Sequence, residues 1–431
     1  MRISCALLIA LAACGDGGTA QDARVDVDAS RTMVRVHVRV DDGVNAGGHR
    51  VFFQKADSEL VLATLTDADG RANAFMASGG SVSVAFRDST TLSTDVFTLQ
   101  DVTADEDVVI DLRGYPQQPR AVYIQVPADG DAEDYELFSS CGSAFISDAD
   151  LQPQIAELRD CTDVADLLVR SARGRFLFRP AVPIPQNIRV TFDGAWEPPV
   201  VSSIALVHVP ASHRDVIVTQ RVSGQSRSFY PLGLEGGNTG ALEFLRLEEG
   251  AASGTFDQAV PMPAGSTLVT WVTPFQPTTP GGLFVVDWGP PQPATAIDVA
   301  PLSLRAYLTQ PRYDPDTHRI TWLEADQGVD TDGILVRFGW VEERGGTSVL
   351  WHVLGPRGMP ASFALPALPD PDLRPPPTAE VEELMSIKLE GGFARLRALP
   401  LLGRWRPSSD RPWPLDAPSG RVVYQSISAT L

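Results

Sequence analysis

Apolar and polar residues alternate along most of the chain, and Gly, Asp, Ser and Pro separate the short apolar runs. The clearest case is Val34 to Val40, where valine occupies every second position and Arg35, His37 and Arg39 lie between. Successive side chains of a strand point to opposite faces, so this segment predicts a half-buried β-strand. Further runs follow at Val51 to Lys55, Leu60 to Leu65, Ala72 to Met76, Ser81 to Phe86, Val96 to Leu99 and Val108 to Leu112. So many short strands predict a β-sandwich over residues 32–114.

Two motifs in this region resemble a known kind of module. Val51-Phe52-Phe53 follows the valine strand, and Thr66-Asp67-Ala68-Asp69-Gly70-Arg71-Ala72 comes next. The order resembles bacterial Ig-like and carboxypeptidase-regulatory-like (prealbumin-like) modules, which implies that 66–72 is a hairpin between two core strands. Asp67 and Asp69 also suit calcium, but Arg71, Ala72 and Ala74 stand where further ligands are needed, so tight-turn chemistry is favoured.

Three more strand-rich regions follow, and proline-rich segments bound them. We expect a small β-rich unit at 118–198 and a β-sandwich at 200–298, and these two could share one core. The region 300–431 resembles a fibronectin-III-like sandwich in a generic way and carries a Pro-rich loop. The predicted fold class is therefore all-β, with tandem β-sandwich (Ig-like and fibronectin-III-like) domains.

Within these regions, several segments carry a more specific prediction. We expect one short helix at Leu151 to Leu158 and one or two helical turns at Glu380 to Met385. Alternation places Phe338 and Trp340 on one strand face, where a sandwich core takes its large rings. His352 follows Trp351, so it is expected on the opposite face of its strand.

The amino-acid composition indicates the general class of protein. The 431 residues are 43% hydrophobic, which is ample for packed cores, and the 36 Gly and 35 Pro agree with frequent turns. Lys and Arg number 35 against 54 Asp and Glu, a net charge of −19. Such a surface repels nucleic acid and anionic lipid headgroups, so neither is an expected partner.

The N-terminus predicts export. Arg2 precedes an apolar run, Ile3 to Ala13, that is too short to span a bilayer core of about 30 Å, and Cys14 closes it. Leu11-Ala12-Ala13-Cys14 resembles the lipobox of bacterial lipoproteins, which implies cleavage before Cys14, acylation of Cys14 and a membrane anchor. Residues 1–13 are then the signal peptide and 14–31 a flexible tether. With Gly15 and not Asp after the cysteine, the resemblance favours the outer membrane of a Gram-negative bacterium.

The remaining cysteines fit the same compartment. Cys5 is removed with the signal peptide, which leaves Cys141 and Cys161 as a pair in an oxidising environment. We predict a disulfide between them, which would contribute about 3 kcal/mol for a loop of about 20 residues. A redox or metal role would need a C-x-x-C spacing or neighbouring histidines, and the sequence has neither.

Candidate chemistry is sparse. His208, His213 and Asp215 include the ligand types of a zinc site and are the weak metal candidates, although a strand end and its loop often gather such residues by chance. Asp326, Asp330 and Asp332 fit a loop between strands. Gly224-Gln225-Ser226 is the nearest approach to a serine nucleophile motif, but G-x-S-x-G is absent. Phosphate-binding glycine motifs are absent too.

The sequence therefore predicts a lipid-anchored envelope protein, not an enzyme, with no cofactor and a binding, adhesion or scaffolding role towards a protein or glycan ligand. Two alternatives stay open. One is a periplasmic or surface hydrolase, metal-dependent or not, with an unrecognised site. The other is a carbohydrate-binding protein that stacks sugars on Trp405 and Trp413, which lie in a Pro-rich segment.

Overall fold

Alternating apolar positions form strands over most of the chain that the structure describes. The structure is a computed structural model, and it describes residues 32–39, 46–88, 93–103, 105–111, 120–129, 134–139, 142–147, 154–158, 164–184, 188–209, 215–223, 242–246, 253–275, 282–290, 292–299, 308–324, 331–341, 348–356, 362–389, 392–398, 401–402 and 419–428. Strands dominate these segments, which confirms the all-β class. None of the helices in these segments is long and apolar enough to span a bilayer.

The strands of the first half of the chain are β1 (Thr32–Arg39), β2 (Arg50–Gln54), β3 (Leu60–Leu65), β4 (Arg71–Met76), β5 (Gly80–Asp88), β6 (Ser93–Val102), β7 (Asp107–Asp111), β8 (Arg120–Gln125), β9 (Asp134–Ser139), β10 (Gly142–Ser147), β11 (Gln154–Leu158), β12 (Val164–Ser171), β13 (Phe176–Pro183), β14 (Ile188–Thr191) and β15 (Val200–Val207).

The second half continues with β16 (Asp215–Ser223), β17 (Leu242–Arg246), β18 (Ser253–Val260), β19 (Thr267–Phe275), β20 (Gly282–Gly289), β21 (Ala294–Asp298), β22 (Leu308–Asp314), β23 (Arg319–Glu324), β24 (Gly333–Val341), β25 (Ser348–Pro356), β26 (Ser362–Ala364), a 3₁₀ helix (Pro371–Leu373), β27 (Glu380–Leu389), α1 (Gly392–Ala398), β28 (Leu401–Leu402) and β29 (Gly420–Ser428).

One sheet of twelve strands runs through the molecule, and we call it the central sheet. Its order is β17, β16, β19, β20, β29, β27, β24, β25, β6, β5, β2 and β3. β6 pairs in parallel with β25, and β20 pairs antiparallel with β29. Backbone pairing thus joins strands from the predicted regions 32–114, 200–298 and 300–431. The division of the chain into separately folding units stays a prediction.

The middle of the central sheet is buried on both faces, as the sequence of β24 shows. Ile334, Val336, Phe338 and Trp340 lie in one core, and Leu335 lies in another. A strand covered on both sides needs apolar residues at consecutive positions, which explains its nearly continuous apolar run. The prediction that Phe338 and Trp340 share a core face is confirmed.

A second sheet covers one face of the central sheet. This N-terminal sheet has the order β28, β7, β1, β4, and Val34, Val36 and Val38 of β1 are each 1% exposed. These valines pack in a core with Phe97 and other residues of the central sheet. The predicted alternation of β1 is confirmed over its described residues, and Val40 lies outside them. The two sheets form a sandwich.

Two smaller sheets cover the opposite face. The C-terminal sheet, of order β22, β23, β26, buries Ile320, Trp322 and Phe363 in a core with Trp351 of β25. The middle sheet, of order β18, β15, β21, packs its Ile204, Leu206 and Ile297 in a core with central-sheet valines. The central sheet is therefore a shared layer between three smaller ones.

A separate pair of sheets forms the segment between residues 120 and 191. Their orders are β11, β8, β14 and β10, β9, β12, β13. An ion pair between the buried Asp129 and the partly exposed Arg175 stabilises this small sandwich. Arg175 Nη1 lies 2.8 Å from Asp129 Oδ1, and Arg175 Nη2 donates to the carbonyl of Trp196. Trp196 in turn stacks on Tyr135 in the core.

Two predicted helices are strands in the structure. Gln154–Leu158 is β11, which pairs antiparallel with β8. Glu380–Leu389 is β27, and the pairing with β24 shifts between Arg337↔Glu383 and Phe338↔Val381. This bulge adds one residue, so the buried Val381 and Leu384 stand three apart, a spacing that imitates a helix. In the described part of the chain, α1 is an α-helix, and it buries Leu396.

The turn at 66–72 differs from the implied hairpin. β3 belongs to the central sheet and β4 to the N-terminal sheet, so the turn carries the chain from one layer to the other. Asp67 Oδ1 accepts hydrogen bonds from the amides of Asp69 (3.0 Å) and Arg71 (2.8 Å), and Gly70 has a φ of +76°. These contacts are those of a tight turn, as predicted.

Candidate functional site

Several predicted site residues lie outside the described residues. They are Cys14, Cys141, Cys161, His213, Ser226, Asp326, Asp330, Trp405 and Trp413. The anchor, the disulfide and sugar stacking on the two tryptophans therefore stay predictions.

The described residues of the weak metal candidate make contacts other than those of a metal site. His208 has a φ of +54° and its side chain is 70% exposed, and its Nδ1 lies 3.1 Å from Asp298 Oδ2. For Asp215 the structure describes only the backbone, which pairs with Arg246 and Phe275. Among the described residues, no three His, Cys, Asp or Glu side chains come close enough to hold a metal ion.

His37 and Asp332 have defined surroundings in the structure. Burial first, and then the nearby Arg39 and Arg71, lower the pKa of His37. Asp332 Oδ2 accepts the amide of Leu389 at 2.8 Å, a contact that ties the start of β24 to the end of β27.

A pocket of about 700 Å³ opens between the central sheet and the middle sheet, and we call it the inter-sheet pocket. It begins where the apolar core between these sheets ends. Val272, Val285 and Val423 form the last apolar row on the central sheet. The next residues on the same face of these strands, two positions away, are Thr270, Asp287 and Arg421. Backbone pairing places them side by side across β19, β20 and β29. A polar row thus replaces the apolar row at the pocket floor.

The charged floor has an ion pair at its centre. Arg421 Nε lies 3.3 Å from Asp287 Oδ1, and the two side chains are 31% and 24% exposed. Lys388 also lines the pocket and pairs with Val423 on the neighbouring strand. The described lining residues therefore include two cationic side chains and one carboxylate. Glycosidases use two carboxylates, and the described lining residues supply only one.

Neutral polar groups complete the lining. Thr270 is 2% exposed and is held by Gln220, whose Nε2 donates to Thr270 Oγ1 at 3.3 Å and to Ser202 Oγ at 3.0 Å. Thr295 of β21 stands on the opposite wall, and Gln292 and Ser419 lie at the rim.

Apolar side chains and a glycine shape the rest of the pocket. Leu268, Leu389 and Trp288 are nearly buried and contribute to the wall. A Cβ at Gly420 would lie 2.6 Å from Trp288 Cζ2, so the strand passes the indole ring only as glycine. The floor is therefore built from hydrogen-bonded strands with little room for rearrangement.

The residue pattern does not predict this pocket. Its residues come from β19, β20, β21, β27 and β29, which are far apart along the chain. One signal was present: Asp287 follows Val285-Val286 and Arg421 precedes Val422-Val423, so each places a charge beside apolar strand positions. Which strands would be neighbours is a property of the fold, and no local pattern specifies it.

No protein-family model matches the chain, and no curated protein matches it in sequence. Similarity to solved structures is weak. The TIE protein of Bacillus anthracis is 9% identical with a TM-score of 0.16, over 57% of this chain and 45% of that protein. A streptococcal ancillary pilin is 8% identical with a TM-score of 0.16, over 62% and 98%. BcpA, the major pilin subunit of Bacillus cereus, is 6% identical with a TM-score of 0.15, over 76% and 100%. The chain spans less than half the length of the TIE protein.

Proposed function

We propose that the protein is a lipid-anchored cell-envelope protein that binds a small ligand in the inter-sheet pocket. The observation that carries the binding role is the polar row of Thr270, Asp287 and Arg421 at the floor of a pocket of about 700 Å³. Ligand sites in proteins have volumes of about 300–1,000 Å³ and combine apolar walls with a few placed polar groups. The inter-sheet pocket has this composition.

The floor is suited to binding because it is already ordered. Its residues stand on adjacent strands whose backbones are hydrogen-bonded across the central sheet. A rigid site loses little conformational entropy when it binds, so more of the interaction energy contributes to affinity. The remaining strands act in this proposal as a scaffold.

The anchor in this proposal is Cys14, and the tether at 14–31 separates the body from the membrane. Several acyl chains hold a protein firmly, since each buried methylene contributes about 0.8 kcal/mol. The outer membrane is the proposed location, and the ligand is then a molecule of the envelope or of its surroundings.

Membrane fractionation with labelled palmitate tests the anchor. We expect the wild-type protein to take up the label and to sediment with membranes, and Cys14→Ala to lose the label. Cys5→Ala is the matched control, because it removes a cysteine of the signal peptide and should keep the label. Equal labelling of Cys14→Ala and the wild type would contradict the anchor.

A thermal-shift screen tests the binding role. A ligand that binds the folded state raises the melting temperature. The screen contains neutral sugars, acidic sugars, amino acids, organic acids and phosphates. We expect a hit that stabilises the wild type and Val201→Trp but not Thr295→Trp, because Thr295 lines the pocket and Val201 is 56% exposed on a neighbouring strand. Hits that stabilise all three proteins equally would place binding outside the pocket.

A further inference from the structure

The charges at the floor of the inter-sheet pocket form a neutral pair. Arg421 Nε lies 3.3 Å from Asp287 Oδ1, so the cation and the carboxylate compensate each other. Lys388 has an interaction of its own, so it is not a free cation either. An ion would enter this site without a counter-charge, and desolvation of an unpaired charge is costly. The pocket therefore favours an uncharged ligand.

The ion pair still offers hydrogen bonds to a ligand. Asp287 and Arg421 both line the pocket, and both are partly exposed. A guanidinium group has five N–H donors and a carboxylate has about four lone-pair positions, so the contact between Nε and Oδ1 leaves capacity on each group. The floor thus presents donors and acceptors side by side.

Two neighbouring hydroxyl groups match this arrangement. A hydroxyl both donates and accepts, so one hydroxyl can accept from Arg421 while its neighbour donates to Asp287. Hydrogen bonds with one charged partner are about twice as strong as those between neutral groups. A ligand with hydroxyls on adjacent carbons therefore satisfies both members of the ion pair and adds no charge.

The polar row extends beyond the ion pair. Thr270 pairs with Asp287 on one side and with Gln220 on the other. Paired side chains on one face of an antiparallel sheet stand about 5 Å apart, so these residues continue the row at regular spacing. Thr270 Oγ1 accepts from Gln220 Nε2 at 3.3 Å, and its own hydrogen can be donated to a ligand. The row thus suits a ligand with more than two hydroxyls.

The surfaces beside the row suit a sugar ring. Leu268 and Val423 are apolar and line the pocket next to the polar row, and Thr295 adds a hydroxyl on the opposite wall. A pyranose ring has hydroxyls around its edge and C–H groups on its faces. Its edge therefore matches the polar row, and its faces match the apolar lining.

We propose that the inter-sheet pocket binds an uncharged saccharide, with two neighbouring hydroxyls on Asp287 and Arg421. This inference rests on the proposed binding function and names its ligand class. The ion pair supplies the polar contacts, and its neutrality excludes a preference for either sign of charge.

Calorimetric titration of the full-length protein, in a detergent without a sugar head group, tests the proposal. The probes are glucose, galactose and mannose, the uronate and the 2-amino sugar of each, and glycerol as a diol without a ring. We expect the best neutral sugar to bind at least about tenfold more tightly than its two charged counterparts, because each counterpart brings an unpaired charge into the pocket. Glycerol should also bind at least about tenfold more weakly, because it lacks the ring faces.

Monodeoxy forms of the best sugar test the contacts with the ion pair. Loss of a hydroxyl that contacts Arg421 should reduce affinity by about tenfold or more, since hydrogen bonds to charged groups are strong. Arg421→Gln should weaken the parent sugar by a similar factor but leave the affinity of that one deoxy sugar nearly unchanged. Asp287→Asn should show the same pattern with the neighbouring deoxy position. A residue that only maintained the pocket would weaken every sugar alike.

Arg35→Gln is the matched control. Arg35 forms an exposed ion pair with Asp107 in the N-terminal sheet, so its change removes an arginine from an ion pair outside the pocket. Sugar affinities should stay as in the wild type. Circular dichroism melts check that each variant is folded.

Three outcomes overturn the proposal. The first is a charged counterpart or glycerol that binds as tightly as the neutral sugars, and the second is a set of monodeoxy sugars that all bind like the parent. The third is an equal effect of Arg421→Gln and Asp287→Asn on parent and deoxy sugars. In each case a screening hit that still depends on Thr295 leaves the proposed binding function intact, whereas hits insensitive to Thr295→Trp contradict both.

Discussion

Two adjacent residues on β25 pack into cores on opposite faces of the central sheet. Trp351 is fully buried among the rings of the C-terminal side, and His352 turns to the other face and stacks on Phe97 with ring centroids 4.9 Å apart. The predicted opposition of these two side chains is confirmed. Neither ring nitrogen of His352 forms a hydrogen bond with a described residue. Burial first, and Arg337 second, lower its pKa to about 3.

This histidine predicts acid sensitivity. An unfolded chain protonates His352 below pH 6.5, but the folded protein does so only near pH 3. Above pH 6.5 this histidine is uncharged in both states and does not lower the unfolding free energy. As the pH falls from 6.5 towards 3, only the unfolded state takes up the proton, so the unfolding free energy decreases by about 1.4 kcal/mol per pH unit. We expect His352→Phe to flatten the fall in unfolding free energy between pH 6 and 4 in denaturant titrations. A pH dependence of His352→Phe equal to that of the wild type would contradict this effect of burial.

Trp351 predicts a second stability effect. Its indole Nε1 donates to Thr98 Oγ1 at 2.8 Å, and Ser83 Oγ lies 2.7 Å from the same oxygen. Thr98→Val leaves the buried indole donor without its partner and should cost about 1–3 kcal/mol. Thr98→Ser keeps the oxygen and loses one methyl group, about 0.8 kcal/mol. Chemical denaturation compares them, and a valine variant as stable as the serine variant would count against the hydrogen bond.

Among the secondary-structure elements, a bulge and a turn are the places where the local sequence pattern leads to a wrong prediction. In β27 a single inserted residue converts strand alternation into helical spacing. At 66–72 the residue types predict a turn correctly, but they do not say that the turn joins two sheets. Local chemistry specifies the turn, and the packing of the N-terminal sheet on the central sheet specifies its direction.

Gly70 tests the tightness of that turn. It has a φ of +76°, and a Cβ there would lie 2.3 Å from the carbonyl oxygen of Val38. Gly174 has the same φ of +76° but nothing within 4 Å of its Cβ position. Both alanine variants pay the left-handed backbone cost of about 1–2 kcal/mol, and Gly70→Ala adds the clash. Thermal denaturation should show a clearly larger loss for Gly70→Ala, and equal losses would refute the close approach.

At the scale of the molecule, the central sheet couples the two ends of the chain. The parallel pairing of β6 with β25 places residues 93–102 beside 348–356, and Phe52, Ala85 and Val96 lie in the same core as Trp351. These N-terminal residues depend on the C-terminal region for their burial. The segment 118–198 instead fills its own core.

Isolated fragments test this coupling. We expect residues 118–198 to melt cooperatively when expressed alone. Residues 32–114 alone should bind a hydrophobic dye and lack a cooperative transition, because one face of β2, β5 and β6 would lose its covering strands. Circular dichroism and dye fluorescence measure both properties. A cooperative melt of 32–114 near the temperature of the whole protein would support an independent domain.

Local residue patterns correctly predict the strand-rich class, the alternation of β1, the shared core face of Phe338 and Trp340, and the turn at Asp67. They also supply the predicted anchor at Cys14. These features depend on residues close together along the chain, because both the apolar alternation of a strand and the residue types of a turn involve only neighbouring positions.

The central sheet, the strand at 380–389 and the inter-sheet pocket depend instead on how distant segments pack together. Strand pairing between distant segments depends on which faces are buried together, and a period of two fits many partners equally well. The pocket follows from that pairing, because Thr270, Asp287 and Arg421 form one row only after β19, β20 and β29 lie side by side.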